Sequence, residues 1–161
     1  MAEPDLFLSL DQGTQSVRAM LFDAQGQLVA KSQQHITPYF SKQPNWAEQN
    51  GEYFWHHLGL ACQKLWQTHP QLRDRVAAVA LACQRATMIC LDEHRQPVRP
   101  AIIWLDSRRT DQYPHLPFWM RWGAAAVGLS HMLYQLRSKA ECNWLAADFP
   151  KDWARTRHFV Q

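Results

Sequence analysis

Residues Leu6–Asp23 read LFLSLDQGTQSVRAMLFD, in which two apolar, β-compatible runs, Leu6–Leu10 and Val17–Phe22, flank the polar turn DQGTQS. A buried-looking strand that ends in an acid, a glycine and three hydrogen-bonding side chains calls for a physical reason. Gly13 has no Cβ, so another group can approach its backbone closely. Thr14, Gln15 and Ser16 add donors, and successive N–H groups in a turn can form an anion-binding nest. Arg18 alternates onto the same side as Ser16. Asp11 supplies a carboxylate of the kind that holds a hydrated metal ion. Together these groups suit a nucleotide polyphosphate. Asp, Gly, Thr and Ser are also ordinary turn formers, so a plain hairpin loop is an equal reading of this turn taken alone.

Outward from that stretch, DAQGQ (Asp23–Gln27) signals a second turn, and Leu28–Thr37 a third run. Two successive hairpins give an antiparallel start. Pro38 and Pro44 mark a loop. Asn50 is placed to cap a helix over Gly51–Thr68, with Phe54, Leu58, Ala61, Cys62 and Leu65 at helical spacing. Val76–Cys83, VAAVALAC, is apolar throughout, which predicts a strand covered on both faces. Met88–Leu91 reads as another short strand, DEHRQPVRP as a turn, Ala101–Trp104 as a further apolar run and Ser130–Ala147 as a helix. The order β-β-β-α-β, then β, then helices, predicts an α/β layer architecture with a mixed sheet.

The 161 residues suffice for one domain with a real core. Eight tryptophans argue against disorder, and a formal charge of +3 without a basic block is no case for nucleic acid. No run is long enough to span a bilayer, and the N-terminus has neither a basic n-region nor a long apolar h-region. Cys62, Cys83, Cys90 and Cys142 share no C-x-x-C spacing. Cys83 and Cys90 read as buried free thiols, and a reducing cytoplasm is expected. His56 and His57 are adjacent on the expected helix, point apart and cannot chelate as an i, i+4 pair would.

Four stretches in order, LSLDQGTQSVRAMLFDAQGQLVA, NWAEQNGEYFW, VALACQRATMICLDEHRQPVRPAIIWLDSRRTDQ and FPKDWARTRHFV, resemble the FGGY family of carbohydrate kinases. The resemblance covers most of the chain. It implies a ribonuclease-H-like domain of the actin–hexokinase type, here incomplete, spanning residues 1–161. It also implies ATP and Mg²⁺ as cofactors and a sugar or polyol as substrate. Asp11 would help to hold Mg²⁺ through water. Gly13, Thr14, Gln15 and Ser16 would face the ATP phosphates, with Arg18 near them. Gln84, Arg85, Trp104 and Asp106 would form the substrate side. Arg85 suits hydroxyl recognition because its fork offers several fixed donors. Trp104 would pack against substrate carbons. The loop Asn45–Gln49, through Trp46 and Glu48, would wall the cleft. Read without the resemblance, Arg85 is a surface ion-pair partner, Trp104 core, and Asp106 a cap for a helix beginning near Ser107.

Departures from the family pattern narrow the expectations. Glycerol kinases typically carry a glutamate after the arginine, where Ala86 stands here, and xylulokinases typically show Met-His-Gly at Gln84–Ala86. Both D-xylulose and glycerol are therefore disfavoured. The family's catalytic aspartate and its second, nucleotide-binding domain are expected beyond residue 161, so these 161 residues alone are expected to be inactive. The rival expectation is a catalytically inactive domain that binds sugar or a partner, or a gene remnant. No nucleic-acid or membrane partner is expected, and assembly as a homo-oligomer is left open.

Overall fold

The computed structural model describes residues 4–161. The opening residues form three strands, β1 (Leu6–Gln12), β2 (Ser16–Phe22) and β3 (Leu28–His35). The first turn is closed by Gly13 N–H donating to the Ser16 carbonyl at 3.1 Å. The second is closed by Asp23, whose Oδ1 accepts from the N–H groups of Gln25 and Gln27, with Gly26 at φ 77°. β1 runs two residues beyond the apolar segment, so Asp11 lies within the ladder, opposite Arg18.

After the two-residue strand β4 (Glu48–Gln49) comes α1 (Gly51–Thr68). Asn50 caps it, its side chain accepting from Glu52 N–H, and Phe54, Leu58, Ala61 and Leu65 form the buried face. A 3₁₀ turn (Pro70–Arg75) leads into β5 (Val76–Ala82). The sheet order is β3-β2-β1-β5, antiparallel except for the parallel pair β1·β5. This is the mixed sheet expected, because the helical crossover lets β5 return parallel to β1. The core lies between α1 and the sheet, where Leu6, Leu8, Val17, Ala19, Leu21 and Ala30 meet the helix.

The expected two-sided cover of β5 is not observed. β5 is an outer strand, and Val79 and Leu81 are 60% and 65% exposed. They sit in register with Leu8 and Leu10, but α1 lies over β2 and β3 and leaves β5 bare. For the same reason Cys83, just past β5, is exposed rather than buried. Cys90 is buried as expected, and desolvation pushes its thiol pKa up.

The remaining elements are β6 (Ile89–Leu91), β7 (Ala101–Ile102), α2 (Phe118–Ala126), α3 (Ser130–Lys139), α4 (Glu141–Asp148), α5 (Pro150–Arg155) and β8 (His158–Val160). The helix expected over Ser130–Ala147 is two helices. The Ser138 carbonyl accepts from Thr110 N–H and the Arg137 carbonyl from the Asn143 amide, so the ladder breaks at Ala140. No helix begins near Ser107; that segment is irregular up to α2. A second core gathers Cys90, Ile102, Trp144 and Leu145. No helix among the described residues is long and apolar enough to cross a membrane.

Candidate functional site

Three segments converge at the end of the sheet where β1 and β5 stop. The first is the turn after β1. It is tight enough that a Cβ on Gly13 would stand 2.8 Å from the Ser16 carbonyl oxygen. The second is the bend after β5, where Ala86 adopts φ 59°, a left-handed conformation unusual for a residue with a Cβ. The third follows β7 and carries Trp104.

An open cleft of about 430 Å³ lies among them. Asp11, Gly13 and Thr14 line it from the turn after β1, Gln84 and Arg85 from the bend after β5, and Trp104 from the segment after β7. Of the residues expected to hold phosphates, Asp11, Gly13 and Thr14 line this cleft, and of those expected to hold an acceptor, Gln84, Arg85 and Trp104 do. Ala86 and Cys83 also line it. Among the described residues the Arg85 guanidinium is exposed and has no ion-pair or hydrogen-bond partner. Its donors face solvent and are available to a ligand.

Gln15, Ser16 and Arg18 stand outside the cleft wall. Ser16 is buried at the base of the turn, while Gln15 is exposed. Arg18 Nη1 donates to Asp11 Oδ2 at 2.7 Å, which fixes the carboxylate at the cleft margin. Asp11 is the one carboxylate in the wall, and among the described residues no three His, Cys, Asp or Glu gather to hold a metal. That donor set does not suit a bare ion. It does suit a hydrated Mg²⁺ whose other ligands come from water and phosphate.

Asp106 is not brought to the cleft. Its carboxylate is buried and accepts from Ala47 N–H at 2.9 Å, from Arg108 N–H at 3.0 Å, and from the Arg108 guanidinium. Glu48 does not wall the cleft either. It is 2% exposed and receives Arg99 Nη2 and Arg108 Nη2. The Arg108 guanidinium is stacked 4.1 Å from the Trp144 ring centroid and 4.4 Å from that of Trp46, and Arg99 lies 4.4 Å from Phe149. This buried ion cluster ties the loop before α1 to the segment after β7. It holds the wall that carries Trp104. Arg99 had no separate signal in the sequence, since its partner lies 51 positions away.

The mixed sheet and the cleft at its end define an α/β domain of the actin–hexokinase type. The N-terminal domain pattern of the FGGY family of carbohydrate kinases matches residues 6–161, and the chain belongs to that family. A glycerol kinase of Halorhodospira halophila is 36% identical over 102 residues, which are 63% of this chain and 20% of that protein. A glycerol kinase of Burkholderia cenocepacia is 40% identical over 106 residues, 65% of this chain and 21% of that protein. The chain therefore spans about a fifth of the length of these curated relatives. Among solved structures, the xylulose kinase from Rhodospirillum rubrum superposes with a TM-score of 0.76 at 20% identity, covering 96% of this chain and 32% of that one. The glycerol kinase from Plasmodium falciparum with ADP gives 0.64 at 20% identity, covering 94% and 30%. At such identities the superpositions speak for the fold.

Proposed function

We propose that the chain is the N-terminal portion of an ATP-dependent kinase that phosphorylates a hydroxyl of a sugar or polyol. One observation carries this reading: a single cleft sets a phosphate-type turn, Asp11–Thr14, against an unpaired guanidinium and an exposed indole. Asp11 would hold the hydrated Mg²⁺, which supplies charge neutralisation for the phosphates when bound. Gly13 and Thr14 receive phosphate oxygens at close range, with Gln15 and Ser16 continuing the turn. Arg18 keeps the Asp11 carboxylate aimed. Arg85 donates to acceptor hydroxyls, and Trp104 offers its face to the C–H side of the sugar.

The base that takes the acceptor proton comes from outside these 161 residues. Among the described residues the cleft wall has one carboxylate, and that one is already paired with Arg18. The second half of the nucleotide site would come from a further domain, a reading supported by the match of residues 6–161 to an N-terminal domain. These 161 residues alone are expected to transfer no phosphate. Ala86, in the place of a carboxylate, leaves Arg85 without an acidic neighbour and favours an acceptor other than glycerol. The unpaired cysteines suit a reducing, cytoplasmic setting.

The test is ADP release by the complete polypeptide with Mg-ATP and a panel of triols, pentitols, ketopentoses and hexoses. Release that depends on one acceptor is expected. No release with any of them would contradict the reading.

A further inference from the structure

Trp104 and Thr14 lie 90 positions apart, yet the indole Nε1–H donates to Thr14 Oγ1 at 2.9 Å. The Trp104 side chain belongs to a residue that is 51% exposed, so packing alone does not fix its rotamer. A second link runs beside it. Gln84 Nε2 donates to the Gly13 carbonyl at 3.1 Å, and Gln84 Oε1 accepts from Thr87 Oγ1 at 3.0 Å. Both ends of the Gln84 amide are thereby engaged by the protein. The Trp104 backbone N–H approaches Thr87 Oγ1 at a longer 3.4 Å and closes the circuit.

The phosphate turn, the bend after β5 and the segment after β7 are thus joined by one ring of hydrogen bonds around the cleft. The ring has a chemical consequence. A hydroxyl has one proton and two lone pairs. Because Thr14 Oγ1 accepts from the indole, its own proton is turned toward another acceptor, and the cleft is where a phosphate oxygen would offer one.

We propose that Trp104 and Gln84 are positioning residues that pin the Gly13–Thr14 turn to the acceptor wall, so that the grip on phosphate is set by the wall that receives the acceptor. The kinetic consequence rests on the kinase reading above; the pin itself rests on the geometry.

The test uses the complete polypeptide and four variants. Trp104→Phe keeps an aromatic wall and removes the N–H. Thr14→Val keeps the shape and removes the oxygen, while Thr14→Ser keeps the hydroxyl. The fourth variant combines Trp104→Phe with Thr14→Val. In protein labelled with 5-fluorotryptophan and free of ligand, the Trp104 ¹⁹F resonance is identified by its loss in Trp104→Phe. It is expected to move in Thr14→Val and to return in Thr14→Ser. A resonance unmoved by Thr14→Val overturns the pin. In turnover, Trp104→Phe is expected to raise KM for Mg-ATP about 3- to 10-fold, the worth of one hydrogen bond, with acceptor KM changed far less. Combined with Thr14→Val it should be no worse than Thr14→Val alone, since both remove the same bond. Multiplying effects, or a change confined to acceptor KM, overturn the proposal. If no acceptor is phosphorylated but the ¹⁹F response holds, the kinase reading fails and the pin stands.

Discussion

Arg18 Nη1 stands 2.7 Å from Asp11 Oδ2, an ion pair between opposite residues of the antiparallel strands β1 and β2. Both side chains are partly open to solvent. Such exposed pairs contribute only about 0–1 kcal/mol to stability. The pair aims a carboxylate rather than holding the sheet together. Arg18→Ala is therefore expected to change the unfolding free energy by less than about 1 kcal/mol in denaturant melts. The same variant should weaken Mg-ATP binding severalfold by calorimetry, because Asp11 loses its orienting partner. Loss of stability without loss of affinity would reverse that assignment.

Gly13→Ala tests the turn. The added Cβ meets the Ser16 carbonyl oxygen at 2.8 Å, and that oxygen belongs to a strand that cannot easily retreat. Overpacking of this kind costs about 1–3 kcal/mol. A lowered melting midpoint together with weaker nucleotide binding is expected. A variant as stable as the parent would show that the turn opens without cost.

Glu48→Gln tests the buried cluster. The substitution leaves the Arg99 and Arg108 guanidinium groups packed among aromatic rings with one of their carboxylates gone. Breaking a buried pair from one side typically costs about 3–5 kcal/mol. Chemical denaturation should show a loss in that range. A loss below about 1 kcal/mol would mean that the cluster is stabilised by stacking alone.

Parts of this architecture were legible in the sequence and others were not. The three-strand start was, because the apolar runs Leu6–Leu10, Val17–Phe22 and Leu28–Thr37 are separated by the local turn signals DQGTQS and DAQGQ. Asn50 announced α1 because a cap is a local interaction. The cover of β5 was not, because an apolar run says that a strand tolerates burial and not where the helix will lie. That Asp106 lies outside the cleft was not legible either, because its carboxylate reaches Ala47, 59 positions away, through folding alone. The break at Ala140 depends on Thr110 and is equally non-local. In the site, the turn residues Asp11, Gly13 and Thr14 were legible from their own chemistry, whereas Arg85 and Trp104 became candidates only through the family resemblance. That Trp104 touches Thr14 required the fold.

The cysteines give an independent check on that fold. Cys83 is exposed at the cleft, whereas Cys90 is buried and its thiol pKa is raised by desolvation. Only the thiolate reacts, so a raised pKa and burial act in the same direction. At mildly alkaline pH a thiol reagent is expected to modify Cys83 rapidly and Cys90 only after denaturant is added, as read by peptide mass spectrometry. Equal rates in native protein would contradict the second core.

The most direct measurement of the central claim is turnover of the complete polypeptide carrying Asp11→Ala, at saturating acceptor and Mg-ATP, beside the unaltered protein. If the turn after β1 cradles the transferring phosphate, kcat should fall by at least about 100-fold, the scale on which a group that stabilises transition-state charge acts. The folded signal in circular dichroism should be retained, since the carboxylate is partly exposed. Turnover that persists within a few-fold of the parent would place the phosphate site elsewhere and return DQGTQS to an ordinary hairpin loop.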